Sequence, residues 1–170
     1  MRSPLALALF DLDHTLINGD SDQLWGNFLQ DIGWIDESYQ QRKDEFYRDY
    51  LNGQLDYTAF IEFVLSGLKG KSVEEWVELR QLFAKDYLEP SIRTAAVSAV
   101  ALHRAQDDII VMITATNRFI AEAAAQLLNI EHVLASEPEI INGKFTGKML
   151  GPPCSVSYTH LRAHETVLDL

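Results

Sequence analysis

Three observations predict an α/β fold built on a parallel sheet with an inserted helical layer. Two short apolar runs, Leu5 to Phe10 and Ile109 to Ile113, are each bounded by polar residues, as buried strands are. Beyond residue 90, strand-like and helix-like segments alternate, the pattern of a parallel sheet. Between the two runs, residues 18–89 carry helical spacing throughout, far more chain than one crossover needs.

The elements follow in order. Asp11 stops the first run and Asn18-Gly19-Asp20 follows, so Leu5 to Phe10 reads as a fully buried strand entering a loop. Ser21 reads as a helix cap, with Leu24, Trp25, Phe28, Leu29 and Ile32 at helical spacing and Gly33 as the stop. Helices are predicted over 37–52, 56–68 and 72–87, from Phe46 and Tyr50, then Phe60, Phe63 and Val64, then Trp76, Leu79, Leu82 and Phe83. Gly53, Gly67, Gly70 and Pro90 separate them. Residues 91–105 are Ala-rich and helical until Asp107-Asp108 breaks the pattern. Ile109 to Ile113 is rich in β-branched side chains and reads as a central strand covered on both faces. Asn117 to Leu128 is a helix, Val133 to Ala135 a short strand, and Ile140 to Thr146 a hairpin around Asn142-Gly143.

Composition narrows the partners. Of 170 residues, 25 are acidic and 14 basic, a net charge of −11. Phosphate backbones and anionic membranes select clustered Lys and Arg, so nucleic acid and membrane are both expected to be absent as partners. The single cysteine, Cys154, excludes an internal disulfide framework, which points to a reducing compartment, the cytoplasm. The longest apolar runs fall far short of the ~20 residues of a membrane span. Oligomeric state is left open.

Two strand ends carry the chemistry. In Asp11-Leu12-Asp13-His14-Thr15-Leu16, two carboxylates two residues apart point the same way if the chain stays extended. They lie at the carboxyl end of a strand, where open α/β sheets place their sites. Such a pair suits Mg²⁺, which takes oxygen ligands, or a division into nucleophile and general acid–base. The plain alternative is a solvated turn. In Ile113-Thr114-Ala115-Thr116-Asn117, a hydroxyl and a helix N-terminus offer an anion site. There the plain alternative is that Thr116 or Asn117 is only an N-cap.

With DLDHTL after one strand, ITATN after the next, and a helical insert between, the chain resembles the haloacid dehalogenase superfamily, and the NGKFTGK hairpin adds a likeness to its phosphoserine phosphatase-like IB hydrolases. The resemblance covers about residues 4–154. It implies a Rossmann-like parallel core, incomplete in this chain, from residues 1–17 and 90–154, with a helical cap over 18–89 that closes on substrate. It implies an Mg²⁺-dependent phosphomonoesterase acting on a small phosphorylated metabolite. Asp11 would attack phosphorus and form an aspartyl-phosphate, and Asp13 would act as acid and then base. The Asp11 carboxylate and the Asp13 carbonyl would hold Mg²⁺. Thr114 and the Ala115 N–H would bind the phosphoryl group. His14 stands where a Gly or small residue is common and is given a structural role. Asp20 stands where relatives carry a Glu that meets a substrate amine; a loop cap is the alternative. Arg42 and Arg48 are candidates for a substrate carboxylate, and the aromatic stripe Trp25, Phe28, Phe46, Tyr50, Phe60 and Phe63 reads as cap core.

The resemblance breaks after Cys154. Family phosphatases carry a further Lys and a further acidic cluster, and neither follows. Lys144 and Lys148 precede the turn and do not fit. Ser155 to Leu170 resembles a translated sequencing adapter, so the tail is expected to be non-native and the chain an inactive fragment. Phosphoserine is the first substrate by resemblance. Histidinol phosphate or another amino-alcohol phosphate is the alternative. A non-catalytic phosphometabolite-binding module is a third reading, against which the intact Asp11 and Asp13 pair stands. A receiver-type domain is disfavoured by the long insert.

Overall fold

The computed structural model describes residues 6–154. Strands β1 (Leu7–Phe10), β2 (Ile109–Asn117) and β3 (His132–Ser136) form one parallel sheet in the order β1-β2-β3. Phe10 pairs with Met112, and Met112 in turn with Val133, so the three carboxyl ends finish at one edge of the sheet. The predicted α/β class and the order of elements are both present. The tail beyond Cys154 lies outside the described residues, as does the start of the first apolar run.

Helices α1 (Ser21–Asp31), α2 (Glu37–Leu51), α3 (Tyr57–Ser66) and α4 (Val73–Phe83) make up the insert. The fourth does not stop where predicted. Its path widens through a π-type turn at Ala84–Leu88 and runs into α5 (Glu89–Ser91). Pro90 is tolerated there because a first-turn residue has no N–H bond to give. The insert leaves and returns through a stem. Ile17 bridges Ile92 antiparallel, the Asn18 N–H donates to the Ser91 carbonyl at 2.8 Å, and the Arg93 N–H to the Leu16 carbonyl at 3.0 Å.

The core side carries α6 (Thr94–Ala105) and α7 (Arg118–Leu128), then a hairpin of β4 (Pro138–Ile141) and β5 (Lys144–Met149). Asn142 and Gly143 both take positive φ, 52° and 74°, as a two-residue hairpin turn requires. Lys144 and Lys148 both lie on β5, as the sequence placed them.

Other expectations are corrected as well. β1 is not buried on both faces: Ala8 is buried, but Leu7 and Leu9 are 38% and 46% exposed. β1 is the edge of the three described strands, and pairing covers its backbone on one side only. Asp20, not Ser21, caps α1, its carboxylate accepting the Gln23 N–H at 2.8 Å. Tyr50 leaves the aromatic stripe and points to solvent, 65% exposed. The other large rings pack inward. Trp25 is enclosed by Phe28, Trp76 and Phe83 at centroid distances of 5.3, 5.5 and 5.0 Å. It also meets Phe119 of α7 at 5.9 Å, and Phe119 meets Phe145 of β5 at 5.3 Å. The insert and the sheet therefore share one apolar core. Arg80 of α4 reinforces the join, donating to the Phe119 carbonyl and to Glu122 of α7, both at 3.2 Å.

Candidate active site

Parallel pairing of β1 with β2 brings the two predicted sequence patterns together. The loop after Phe10 is a tight turn closed by two wide backbone bonds, Leu16 N–H to the Asp11 carbonyl and Ile17 N–H to the Leu12 carbonyl. Leu12 and Leu16 are fully buried beneath it and anchor the turn. His14 takes φ of 55°, a left-handed conformation that costs a non-glycine residue roughly 1 kcal/mol or more. The His14 side chain is exposed, and the His14 backbone N–H donates to the Gly19 carbonyl at 2.9 Å.

Asp11 is extended and exposed, with one carboxylate oxygen on the Leu12 N–H at 2.8 Å. Its pKa is raised, chiefly because its carboxyl is partly withdrawn from water and also because Asp13 repels it; the Leu12 N–H and His14 act the other way. Asp13 is held at both oxygens. One accepts the Ser21 N–H at 2.6 Å and the other the Thr116 hydroxyl at 2.7 Å. The Ser21 and Thr116 hydroxyls are 2.9 Å apart.

β2 extends further than the apolar run suggested, through Asn117, so the polar residues are strand residues. Thr114 and Thr116 lie two apart, and both are 2% exposed. Thr114 Oγ accepts the Thr116 N–H at 3.2 Å, which leaves its own O–H to donate elsewhere. The Ala115 carbonyl takes the Ser136 hydroxyl at 2.7 Å. Asn117 is the N-cap of α7, accepting the Ile120 N–H at 3.2 Å.

The remaining candidates are placed as follows. Asp20 spends an oxygen on the helix cap, and its pKa is raised by burial and by Asp13. Arg42 pairs with Glu45 at 2.5 Å and lies over Phe46 on α2, and Arg48 is exposed on the same helix. Neither arginine contacts the Asp11–Asp13 loop in any bond observed among the described residues. The sequence reading missed Ser21 and Thr116 as partners of Asp13. The Thr-x-Thr spacing was the available signal, since alternate strand residues share a face. It also missed Asp22, whose Oδ1 is enclosed without a partner. Burial, with repulsion from Asp20 and Asp13, holds the Asp22 carboxyl well above the ordinary aspartate range.

The Asp11 carboxylate and the Asp13 carbonyl are hard oxygens beside a cluster of mutually repelling acids. That donor set fits Mg²⁺, which takes one or two carboxylates and keeps several waters. No group of three His, Cys, Asp or Glu residues arranged for a metal occurs among the described residues. No helix among the described residues is long and apolar enough to cross a membrane.

The chain is similar to known proteins. The model of the haloacid dehalogenase-like hydrolase family matches residues 8–167. A histidinol-phosphatase of Neisseria meningitidis serogroup C is 38% identical over 149 residues, 86% of this chain and 67% of that protein. A phosphoserine phosphatase of Mycobacterium tuberculosis is 27% identical over 157 residues, 86% of this chain and 49% of that protein. The chain thus spans about two thirds of the first relative and about half of the second. A solved structure of a protein of unknown function from Bordetella pertussis Tohama I superposes with a TM-score of 0.91 at 32% identity, covering 98% of this chain and 76% of the other.

Proposed function

The chain belongs to the haloacid dehalogenase-like hydrolase family and groups with its phosphatases, and from that premise we propose that it serves an Mg²⁺-dependent phosphomonoesterase acting on a small amino-alcohol phosphate. One observation carries the reading: at the carboxyl end of β1, Asp11 is open to solvent while Asp13, two residues on, is fixed at both oxygens. A mobile nucleophile needs access, and a proton carrier needs a fixed direction.

In this reading Asp11 Oδ attacks phosphorus as the bond to the leaving alcohol breaks, and Asp13 gives that oxygen its proton. Asp13 then takes a proton from the water that attacks the aspartyl-phosphate, releasing phosphate and restoring Asp11. The Thr114 hydroxyl and the Ala115 N–H face the transferred phosphoryl oxygens. Mg²⁺, when bound at the Asp11 carboxylate and Asp13 carbonyl, supplies positive charge against the phosphate. The insert covers the leaving group. Histidinol phosphate is placed ahead of phosphoserine as the substrate, because the relative named histidinol-phosphatase is the more similar at 38% against 27% identity.

The test is Asp11→Asn. An amide cannot form the acyl-phosphate. In a full-length version that carries the family's further Lys and acidic cluster, the protein with Asp11 intact is expected to trap beryllofluoride with Mg²⁺ at Asp11 and to release phosphate from histidinol phosphate; the variant is expected to lose both, turnover by about a thousandfold or more. Phosphate release by Asp11→Asn at the wild-type rate would sink the mechanism.

A further inference from the structure

We propose that Thr116 and Ser21 are positioning residues for Asp13, a buried hydroxyl pair that fixes the direction of the proton carrier and ties it to the first helix of the insert. The proposal rests on the phosphatase reading above.

Ser21 is fully buried and Thr116 is 2% exposed, so neither hydroxyl can be satisfied by bulk water. Their bonding has one consistent direction. The Thr116 hydroxyl donates to Asp13 Oδ2. Thr116 has no second proton, so Ser21 Oγ donates to Thr116 Oγ1. The Ser21 N–H then closes the ring on Asp13 Oδ1. Asp13 is thereby clamped at one oxygen from β2 and at the other from the start of α1. A carboxylate with a single donor can swing about its terminal torsion; one with two donors from separate elements keeps one plane.

The clamp also links insert to sheet. Ser21 is the first residue of α1, and its place is set by the Asp20 cap on Gln23 and by the stem pairing of residues 17 and 18 with 91 and 92. The orientation of the proton carrier therefore depends on how the insert is seated. Neither hydroxyl gives or receives a proton in the reaction: Asp13 gives its proton to the oxygen of the leaving alcohol and takes one back from the attacking water. Thr116 and Ser21 act only through Asp13.

A leaving-group comparison separates this role from simple packing. A poor leaving group, the alkyl alcohol of histidinol phosphate, needs a proton as it departs; 4-nitrophenolate needs almost none. In a full-length version that carries the family's further Lys and acidic cluster, with Mg²⁺, Thr116→Val is expected to lower kcat for histidinol phosphate roughly ten- to a hundredfold, a fraction of what a general acid contributes. The first-turnover release of 4-nitrophenol, which precedes the water step and needs almost no proton from Asp13, should stay within about threefold, against a roughly ten- to hundredfold loss in first-turnover release of histidinol, and Thr116→Ser should restore most of that loss. Ser21→Ala is expected to follow the same pattern more weakly, since the Ser21 N–H remains. Equal losses on both esters, or loss in Thr116→Ser as deep as in Thr116→Val, would overturn the positioning role and leave a packing one. If wild type turns over neither ester, the phosphatase reading itself fails and this proposal falls with it.

Discussion

At the carboxyl ends of β1 and β2, Asp13, Thr116 and Ser21 are joined by polar bonds of 2.6 to 2.9 Å. Under the insert, Trp25, Phe28, Trp76 and Phe83 meet instead through rings whose centroids lie 5.0 to 5.7 Å apart. The first region is directional: each bond needs one donor and one acceptor on a definite line, and deletion of one oxygen leaves another group unpaired. The second is largely non-directional, and its contribution scales with area removed from water. Function and stability are thus assigned to different kinds of contact, although Phe119 of α7 lies close to both, beside Trp25 and just after the strand that carries Thr116.

The contrast breaks most visibly in the seam. Phe83 is fully buried and touches Trp25, Phe28 and Tyr87. Phe83→Ala is expected to cost about 3–5 kcal/mol by chemical denaturation, through lost transfer energy and the cavity left behind. The residual folded protein should keep its preference among phosphate esters, because no polar bond at the strand ends involves this ring. A changed preference with little loss of stability would show that the seam and the site are one unit.

A smaller effect sits at the boundary between the regions. Asp20→Ala removes the α1 cap and is expected to cost about 1 kcal/mol in thermal melts. It also loosens Ser21, the next residue, so turnover of alkyl esters should fall more than turnover of 4-nitrophenyl phosphate. If stability falls and the ester ratio does not move, the cap is structural alone.

A third expected effect sharpens the comparison through pH. Asp22 is raised by burial and by its acidic neighbours, Asp20 and Asp13. Between the ordinary aspartate value and the raised folded value, the folded chain keeps a proton that the unfolded chain has released. Stability from this group is therefore fully present below the ordinary aspartate value and is lost as pH rises through the folded one. Asp22→Asn, which never ionises, is expected to melt higher than wild type at neutral pH, with the advantage vanishing as the pH falls below the ordinary aspartate value. A melting difference that is constant with pH, or that grows toward acid, would contradict the assignment.

Much of this was legible in the chain alone. Apolar runs and helical periods are properties of neighbouring residues, so β1, β2, the four insert helices and the Asn142-Gly143 hairpin could be read directly. So could Asp11 and Asp13, because two acids after an apolar run break the local pattern. Other features were readable only in part. Helix spacing shows that Trp25 and Phe83 face inward, but not that they share a core with Phe119 and Phe145. Asp20 and Ser21 are adjacent and are both good caps; which one caps was decided by the Thr116 hydroxyl, 95 residues away along the chain, engaging Ser21.

What the sequence determined by itself is the set of elements, their order and the acidic pair, since each follows from local periodicity and side-chain chemistry. What only the tertiary structure decided is which polar groups meet: the clamp on Asp13, the enclosed Asp22 oxygen and the open face of β1. Parallel pairing of Phe10 with Met112 places groups about a hundred residues apart within bonding distance. A hydrogen bond depends on that separation in space and on direction, neither of which is written in the spacing of residues along a chain.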